Sequence, residues 1–283
     1  MDFKAIPIYI ISYNRIEDLK KLIERLEKDN YTNINIIDNA SSNKDLLDYL
    51  QKVPHRVHFM DKNYGHRVFW SSGRFNDVIE NEYYVLTDPD VIAIKECPDD
   101  YVEYFYEILQ KYPEKTKVGF SLKLDDIPDS YANKYDNIRW ESFFYETKIS
   151  IDPILYDADL DTTFALYRPG FFNDFYSAIR TAYPYTARHL GWYVDTENLS
   201  ETYKGYYKSA SISCSSAKVG IAHGCRCGAI YRIFDHDPNF NFFTFNKKMI
   251  KFGDMAKKMT VGEILKTMGY LFWKKVEFAA KRR

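Results

Sequence analysis

The first third of the chain alternates between short apolar runs and amphipathic segments, and this alternation limits the fold more than any other feature. Four short, β-branched runs are predicted to be buried strands: residues 6–12, 33–38, 57–60 and 83–87. Three helices are predicted between them: residues 16–29, 44–52 and 67–79. Strand–helix alternation implies an α/β fold with a parallel sheet and right-handed crossovers.

The second part of the chain is less regular, and its predicted elements are shorter. The main ones are a helix at 98–112, strands at 118–124 and 161–167, two short strands within 209–223, and a helix at 259–278. Between them, residues 125–153 are predicted to form loops and short helices.

Polar residues follow each of the first four strands. They are Ser12-Tyr13-Asn14-Arg15, Asp38-Asn39, Lys62-Asn63 and Asp88-Pro89-Asp90. Ligands of open parallel sheets bind beyond the carboxyl ends of the strands, so we expect these groups to share one binding rim. A Gly-x-Gly-x-x-Gly sequence does not follow the first strand, which disfavours a dinucleotide-binding site.

Asp88-Pro89-Asp90 is the sharpest chemical motif in the sequence. Two carboxylates one residue apart on an exposed strand end can hold a hard divalent cation. Such an ion can bridge the phosphates of a nucleotide diphosphate and neutralise a leaving group. The same pattern also fits a plain acidic turn in which Pro89 fixes the bend.

Charge and cysteine usage exclude several classes of protein. The 283 residues carry a net charge of −1, which argues against a general nucleic-acid binder. The four cysteines are too few and too unevenly spaced for a disulfide framework. Neither a signal peptide nor an apolar run near the ~18 residues of a spanning helix is evident, so we expect a cytoplasmic protein.

Four segments in series resemble one known family. Residues 7–15 (PIYIISYNR), 37–42 (IDNASS), 62–65 (KNYG) and 84–91 (YVLTDPDV) are similar, in order and spacing, to the N-terminal half of family 2 glycosyltransferases. The resemblance covers residues 6–92 and is weak beyond them. It implies a GT-A fold, which is a Rossmann-like mixed sheet flanked by helices that binds a nucleotide-diphospho-sugar.

The resemblance also implies roles for the matching residues. Ser12, Tyr13 and Arg15 would line the nucleotide pocket, and Asp38 would face the uracil or the equivalent base edge. The alternative for Asp38 is a turn cap.

On the same resemblance, Asn63 and Gly65 lie in the loop that closes on the nucleotide-sugar. Asp88 would lie near the ribose or the donor sugar, and Asp90 would ligate Mn²⁺ or Mg²⁺.

Members of this family often carry a late histidine near the diphosphate, and His223 is the candidate here. It would be a metal ligand or a phosphate contact, and the alternative is a structural histidine. The adjoining Cys225 and Cys227 raise the question of zinc, but a zinc site needs about four ligands and no second cysteine pair is present.

An inverting sugar transfer needs a base that takes the acceptor's proton. The segment 189–195 (HLGWYVD) loosely resembles the family's late aromatic-plus-acidic segment, which makes Asp195 the candidate base and Trp192 a ring platform. The usual Glu-Asp pair is absent, so Asp161 and Glu197 remain alternatives, and Trp192 fits a core role equally well.

The C-terminal segment, residues 246–283, is strongly basic and mixes Lys with Ile, Leu, Phe and Trp. A helix of this kind can lie in a membrane interface and be drawn to anionic lipid, here on the inner membrane face. It can equally pack on the domain with its lysines solvated.

Taken together, the sequence predicts a GT-A glycosyltransferase domain over residues 1–245 and a basic amphipathic helical tail over 246–283. Residues 1–92 would bind the nucleotide-sugar, and 93–245 would bind the acceptor. The family resemblance implies metal-dependent transfer from a UDP-sugar to a glycan or lipid-linked glycan, with inversion, in bacterial surface polysaccharide or lipopolysaccharide assembly. The alternatives are a nucleotidyltransferase, which should carry a Gly-rich basic loop after the first strand, and an inactive glycan-binding GT-A domain.

Overall fold

The computed structural model describes residues 1–171 and 177–209, and within them the chain is mixed α/β. A large sheet of parallel and antiparallel strands is flanked by helices. The tail at 246–283, His223 and the strands predicted within 210–223 lie outside the described residues.

The strands are β1 (Ile8–Ser12), β2 (Ile34–Asp38), β3 (Arg56–Phe59), β4 (Tyr84–Thr87), β5 (Val91–Ala93), β6 (Lys117–Gly119), β7 (Ser121–Leu122), β8 (Lys148–Ile151), β9 (Ile154–Asp157), β10 (Ala165–Tyr167), β11 (Ala178–Arg180) and β12 (Thr186–His189). The α-helices are α1 (Ile16–Lys28), α2 (Lys44–Leu50), α3 (Val68–Ser71), α4 (Asn76–Asn81), α5 (Tyr101–Lys111), α6 (Lys134–Ser142) and α7 (Glu201–Ser209). Short 3₁₀ turns lie at Phe3–Ala5, Gly65–Arg67, Phe143–Tyr145 and Leu190–Trp192.

The described residues form a nine-stranded sheet in the order β3-β2-β1-β4-β10-β6-β11-β9-β8. Strands β1 to β4 run parallel to their neighbours in this group, as the sequence predicted. Strand β10 is antiparallel to both β4 and β6, with Ala165 opposite Leu86. Because β10 runs backwards, the loop that leads into it, residues 161–164, lies at the carboxyl end of β4.

A smaller sheet in the order β5-β12-β7 extends this same region. Strand β12 pairs antiparallel with β5, so His189 lies opposite Val91. The backbone N–H of Leu190 then donates to the carbonyl oxygen of Asp90 at 2.7 Å. This register brings a segment of the second half of the chain against the Asp88-Pro89-Asp90 turn.

The central strands of the large sheet are buried on both faces, which explains their unbroken apolar character. In β1, Ile8 and Ile10 face one hydrophobic cluster, while Tyr9 and Ile11 face another. The first cluster includes the apolar stripe of α1, and each fully buried aliphatic side chain there contributes roughly 1.5–3 kcal/mol. The central sheet is therefore a rigid base for the loops at its edge.

Three sequence predictions about element length were wrong. The strand predicted at 118–124 is divided into β6 of the large sheet and β7 of the smaller sheet. The single helix predicted at 67–79 is split into α3 and α4, because Gly73 adopts a left-handed φ of +71° that ends the first helix. The strand predicted at 161–167 is confined to β10, since Asp161 turns back to accept a hydrogen bond from the backbone N–H of Thr163. No helix among the described residues combines the length and the apolar character needed to cross a lipid bilayer.

The packing of β6 against β10 gives a direct test of this topology. A Cβ on Gly119 would lie 2.4 Å from the carbonyl oxygen of Phe164 and 2.7 Å from the Cβ of Ala165. Because backbone atoms cannot yield cheaply, we expect Gly119→Ala to lower the free energy of unfolding by about 1–3 kcal/mol, measured by urea denaturation.

The matched control is Gly205→Ala in α7, where an added Cβ meets open space. Alanine should stabilise this exposed helical position by about 0.5–1 kcal/mol. Equal effects of the two substitutions would contradict the described contact between β6 and β10.

Candidate functional site

The carboxyl ends of β1 and β2 carry two buried polar side chains. Ser12 and Asp38 are direct partners in the parallel register and are almost fully buried. Asp38 Oδ2 accepts a hydrogen bond from the backbone N–H of Ser41 at 3.3 Å, and burial raises the pKa of this carboxyl. Among the described residues, neither Ser12 Oγ nor Asp38 Oδ1 has a hydrogen-bond partner. Unpaired buried polar atoms are rare in proteins and indicate a place where a ligand's polar groups can bind.

Asn14 shapes the loop after β1, and the sequence analysis gave it no role. It adopts a left-handed φ of +53°, and its Oδ1 accepts from the backbone N–H groups of Ser42 and Asn43 at 2.8 and 2.9 Å. Its Nδ2 donates to Ser209 Oγ at 3.1 Å, which ties this loop to the end of α7. Tyr13 is half-buried in the same loop.

The Asn63–Gly65 loop is held in place from the neighbouring strand. Asn39 Nδ2 donates to Asn63 Oδ1 at 3.0 Å and to the carbonyl oxygen of Gly65 at 2.9 Å. Gly65 has a φ of +73°, a backbone conformation that favours glycine. The structure therefore places Asn63 and Gly65 on the same rim as Asp38, and Asn39 positions both.

Asp88 lies at the end of β4, beside the loop that leads into β10. Its Oδ2 accepts from Thr162 Oγ1 at 2.6 Å, and its backbone N–H donates to the carbonyl oxygen of Thr162 at 2.8 Å. Burial raises the pKa of Asp88 well above its usual range, and the negative charges of Asp90 and Asp161 add to this effect. A cation beside Asp88 would relieve this repulsion.

Asp90 is the most deeply buried carboxylate of the rim, with 1% of its surface exposed. Its Oδ2 accepts from Arg15 Nη1 at 2.7 Å and lies 3.4 Å from His189 Nε2. Burial alone would raise the pKa of Asp90, but the charges of Arg15 and His189 outweigh it, so the pKa is lowered. Asp90 Oδ1 is buried and has no partner within the part of the chain that the structure describes.

Arg15 bridges two carboxylates. Besides Asp90, it contacts Asp18 through Nε at 2.9 Å and through Nη2 at 2.7 Å. Two tyrosine rings of α7 lie against its guanidinium group, with centroid distances of 5.6 Å for Tyr203 and 4.9 Å for Tyr206. Arg15 was predicted to line the nucleotide pocket. In the structure its guanidinium group is paired with two carboxylates and lies against two tyrosine rings.

Asp18 and Tyr203 complete this cluster, and sequence reasoning missed both. The hydroxyl of Tyr203 lies 2.9 Å from Oδ1 and 2.8 Å from Oδ2 of the buried Asp18. Asp18 sits on the inward face of α1, where an apolar residue is expected from the helical pattern. An acidic residue on an apolar helix face was the signal that could have found it.

His189 is a third residue of the site that sequence reasoning missed. Its ring stacks on Trp192 with centroids 4.8 Å apart. Gly191 leaves room for both Asp90 and His189, because a Cβ at this position would lie 3.0 Å from the imidazole ring and 3.2 Å from Asp90 Oδ2. His189 Nδ1 and Trp192 Nε1 have no hydrogen-bond partner among the described residues. Trp192 is 4% exposed, which favours the core role over an open platform for a sugar ring.

The three candidate bases occupy different environments. Asp195 uses both of its oxygens to close a turn, because they accept from the backbone N–H of Glu197 at 2.9 Å and from Asn198 Nδ2 at 2.8 Å. The bond from Asn198 is the main reason that the pKa of Asp195 is lowered. Glu197 is exposed, and Asp161 is exposed beside Asp88.

A metal ion could use the carboxylates of Asp90 and Asp88 at this rim, but the described residues do not surround it with a complete set of ligands. The described residues contain no group of three or more His, Cys, Asp and Glu side chains arranged to hold a metal. His223, the predicted nitrogen ligand, lies outside the described residues. One or two carboxylates still fit a cation whose remaining ligands are phosphate oxygens and water, which is how Mg²⁺ binds with nucleotides.

No protein-family model matches the chain, and comparison with curated proteins also finds no match.

The cluster around Asp18 gives a prediction about α7. Replacing Tyr203 with Phe removes the hydroxyl that contacts both Asp18 oxygens, so we expect amide hydrogen exchange in Glu201–Ser209 to accelerate. The loss should correspond to about 1–3 kcal/mol, as for hydrogen bonds to a charged group.

Tyr206→Phe is the matched control, since it keeps the ring that contacts Arg15. Its effect on exchange should stay within about 0.5 kcal/mol. Unchanged exchange in Tyr203→Phe would show that the hydroxyl does not anchor α7.

Proposed function

We propose that this protein is a GT-A-type glycosyltransferase that moves a sugar from a UDP-sugar onto an acceptor hydroxyl, with inversion and with Mn²⁺ or Mg²⁺. The observation that carries this proposal is Asp90, a buried carboxylate at the end of the central strand β4. One of its oxygens faces Arg15 and His189, and the other has no partner among the described residues. A carboxylate kept charged in this way is suited to bind a cation.

The fold supports the proposal because it is compatible with the mixed sheet that the family resemblance implies. The four resembling segments end at one rim, where Ser12, Asp38, Asn63 and Asp88 meet the loops predicted to bind a nucleotide. Two unpaired buried oxygens, on Ser12 and Asp38, are available to a base or ribose. Ligands of open α/β sheets bind at such a rim, beyond the carboxyl ends of the strands.

The residues present fit the divalent cation that the proposal requires. Asp90 would hold it with Asp88 nearby, and a bound cation would neutralise charge on the departing diphosphate. Asp38 would accept a hydrogen bond from the base, and Ser12 would contact the nucleotide. The Asn63–Gly65 loop would close over the nucleotide-sugar.

For the base we favour Asp161 over Asp195. Asp161 is exposed and lies near Asp88, and only its Oδ1 accepts hydrogen bonds from Thr163, whereas both oxygens of Asp195 are engaged in a turn. A base has to reach the acceptor hydroxyl with an oxygen that is not already engaged. On this proposal the acceptor hydroxyl approaches the exposed side chain of Asp161.

The proposal also includes the chemical class of the acceptor. A glycan or lipid-linked glycan in bacterial surface polysaccharide assembly agrees with the family resemblance. Contact between the basic segment 246–283 and anionic lipid would bring such an acceptor to the site.

The experiment that tests the function is a panel of nucleotide-sugars, with and without Mn²⁺, assayed for release of nucleoside diphosphate. We expect Mn²⁺-dependent release of UDP from one donor and loss of that release, by about 10²-fold or more, in Asp90→Asn. Asparagine preserves the side chain's size but removes the charge that pairs with Arg15. Folding of the variant is therefore checked by circular dichroism. Binding of glycans without any release by the wild-type protein would instead support an inactive binding domain.

The choice of base has its own test. With an acceptor in hand, Asp161→Asn should lower kcat by about 10²–10⁴-fold, as expected for loss of a general base. Asn keeps the oxygen that accepts from Thr163, so the loop should hold its shape. Asp195→Asn is the matched control and should change kcat by less than about tenfold; the reverse ranking would restore Asp195 as the base.

A further inference from the structure

We propose that Arg15 is a built-in competitor for the cation site at Asp90, so that the site rejects a free divalent cation and accepts one that arrives with a diphosphate. This inference rests on the proposed function for the identity of the ligands. It concerns how Arg15 and α7 regulate access to Asp90, which that function does not require.

Arg15 and a divalent cation compete for the same carboxylate, with Arg15 on Oδ2 of Asp90 and the unpartnered Oδ1 left for the ion. Arg15 Nη1 lies 2.7 Å from Asp90 Oδ2, and the remaining nitrogens of its fork contact Asp18. A cation coordinated by Asp90 would place two positive charges within a few ångströms of the guanidinium group in a buried site, where charges are poorly screened. Repulsion between the ion and Arg15 therefore weakens binding of the ion for as long as Arg15 stays on Asp90.

Helix α7 holds Arg15 in its present position. The Tyr206 ring lies 4.9 Å from the guanidinium carbon, and Tyr203 fixes Asp18, the second carboxylate that Arg15 contacts. Ser209 accepts a hydrogen bond from Asn14, the residue that precedes Arg15 in the chain. Release of Arg15 from Asp90 therefore requires rearrangement of contacts between α1 and α7.

A diphosphate supplies a new anionic partner for Arg15, which a free cation does not. The guanidinium fork matches phosphate oxygens, so Arg15 can exchange a carboxylate partner for a phosphate partner. The exchange leaves each charge paired: Asp90 with the cation and Arg15 with the diphosphate. A free cation would leave Arg15 without its partner at Asp90, and breaking a buried pair in this way is costly.

The test measures Mn²⁺ binding to the full chain by the electron paramagnetic resonance signal of free Mn²⁺. In the absence of nucleotide, Arg15→Met should bind Mn²⁺ about tenfold or more tightly than wild type, because the competing charge is gone. Addition of UDP should tighten Mn²⁺ binding much more in wild type than in Arg15→Met. A purely structural role for Arg15 predicts the opposite, namely weaker Mn²⁺ binding in the variant.

Two controls separate charge competition from other effects. Arg15→Lys keeps the charge and should bind Mn²⁺ alone as weakly as wild type. Arg56→Met removes an exposed arginine on β3, so it changes the net charge of the protein by the same amount as Arg15→Met. It should leave Mn²⁺ binding unchanged. Tighter binding in Arg56→Met equal to that in Arg15→Met would overturn the proposal.

If Arg15→Met does not fold, the wild-type chain still provides a test. The side-chain Nε–H signal of Arg15, identified by its absence in Arg15→Lys, should shift little with Mg²⁺ alone and strongly with Mg²⁺ plus UDP. An equally large shift with Mg²⁺ alone would overturn the proposal. Absence of Mn²⁺ binding in every variant, even with UDP, would overturn the proposed function itself and this inference with it.

Discussion

The buried ion pair between Arg15 and Asp90 is the interaction on which the rest of the site depends. It joins the loop after β1 to the turn after β4, the two central parallel strands of the large sheet. Asp90 also accepts from Leu190 through its backbone, so the same turn holds the segment that carries His189. A charge buried this deeply is tolerated because the guanidinium group of Arg15 lies beside it, and we propose that the site functions by exchanging this group for a metal ion.

Much of the fold follows from the pattern of the first 90 residues, because strict alternation of buried strands and amphipathic helices admits few topologies. The sequence therefore predicted β1 to β4, their parallel pairing and the polar rim that includes Asp38 and Asp88. It did not predict the break at Gly73, since a glycine inside an apolar pattern gives no sign of its φ. The shortened strand β10 depends on a side-chain turn at Asp161, which the pattern of apolar residues does not predict either.

The site was predicted only where residues follow a strand directly. Asp18, Tyr203 and His189 were missed because tertiary contacts assemble them: Asp18 from the buried face of α1, Tyr203 from α7, and His189 through pairing of β12 with β5. Sequence separation as large as 185 residues, between Asp18 and Tyr203, leaves no local pattern to detect. For the same reason the sequence could rank Asp195 highly without revealing that its oxygens close a turn.

A crystal structure of the full chain grown with Mn²⁺ and UDP, with an anomalous difference map collected at the manganese edge, tests the central claim most directly. The account predicts an anomalous peak within coordination distance of an Asp90 oxygen, about 2.0–2.4 Å, with the diphosphate bound to the same ion and Arg15 turned from Asp90 to a phosphate. Manganese and UDP bound away from the rim formed by Ser12, Asp38 and Asp90 would contradict it.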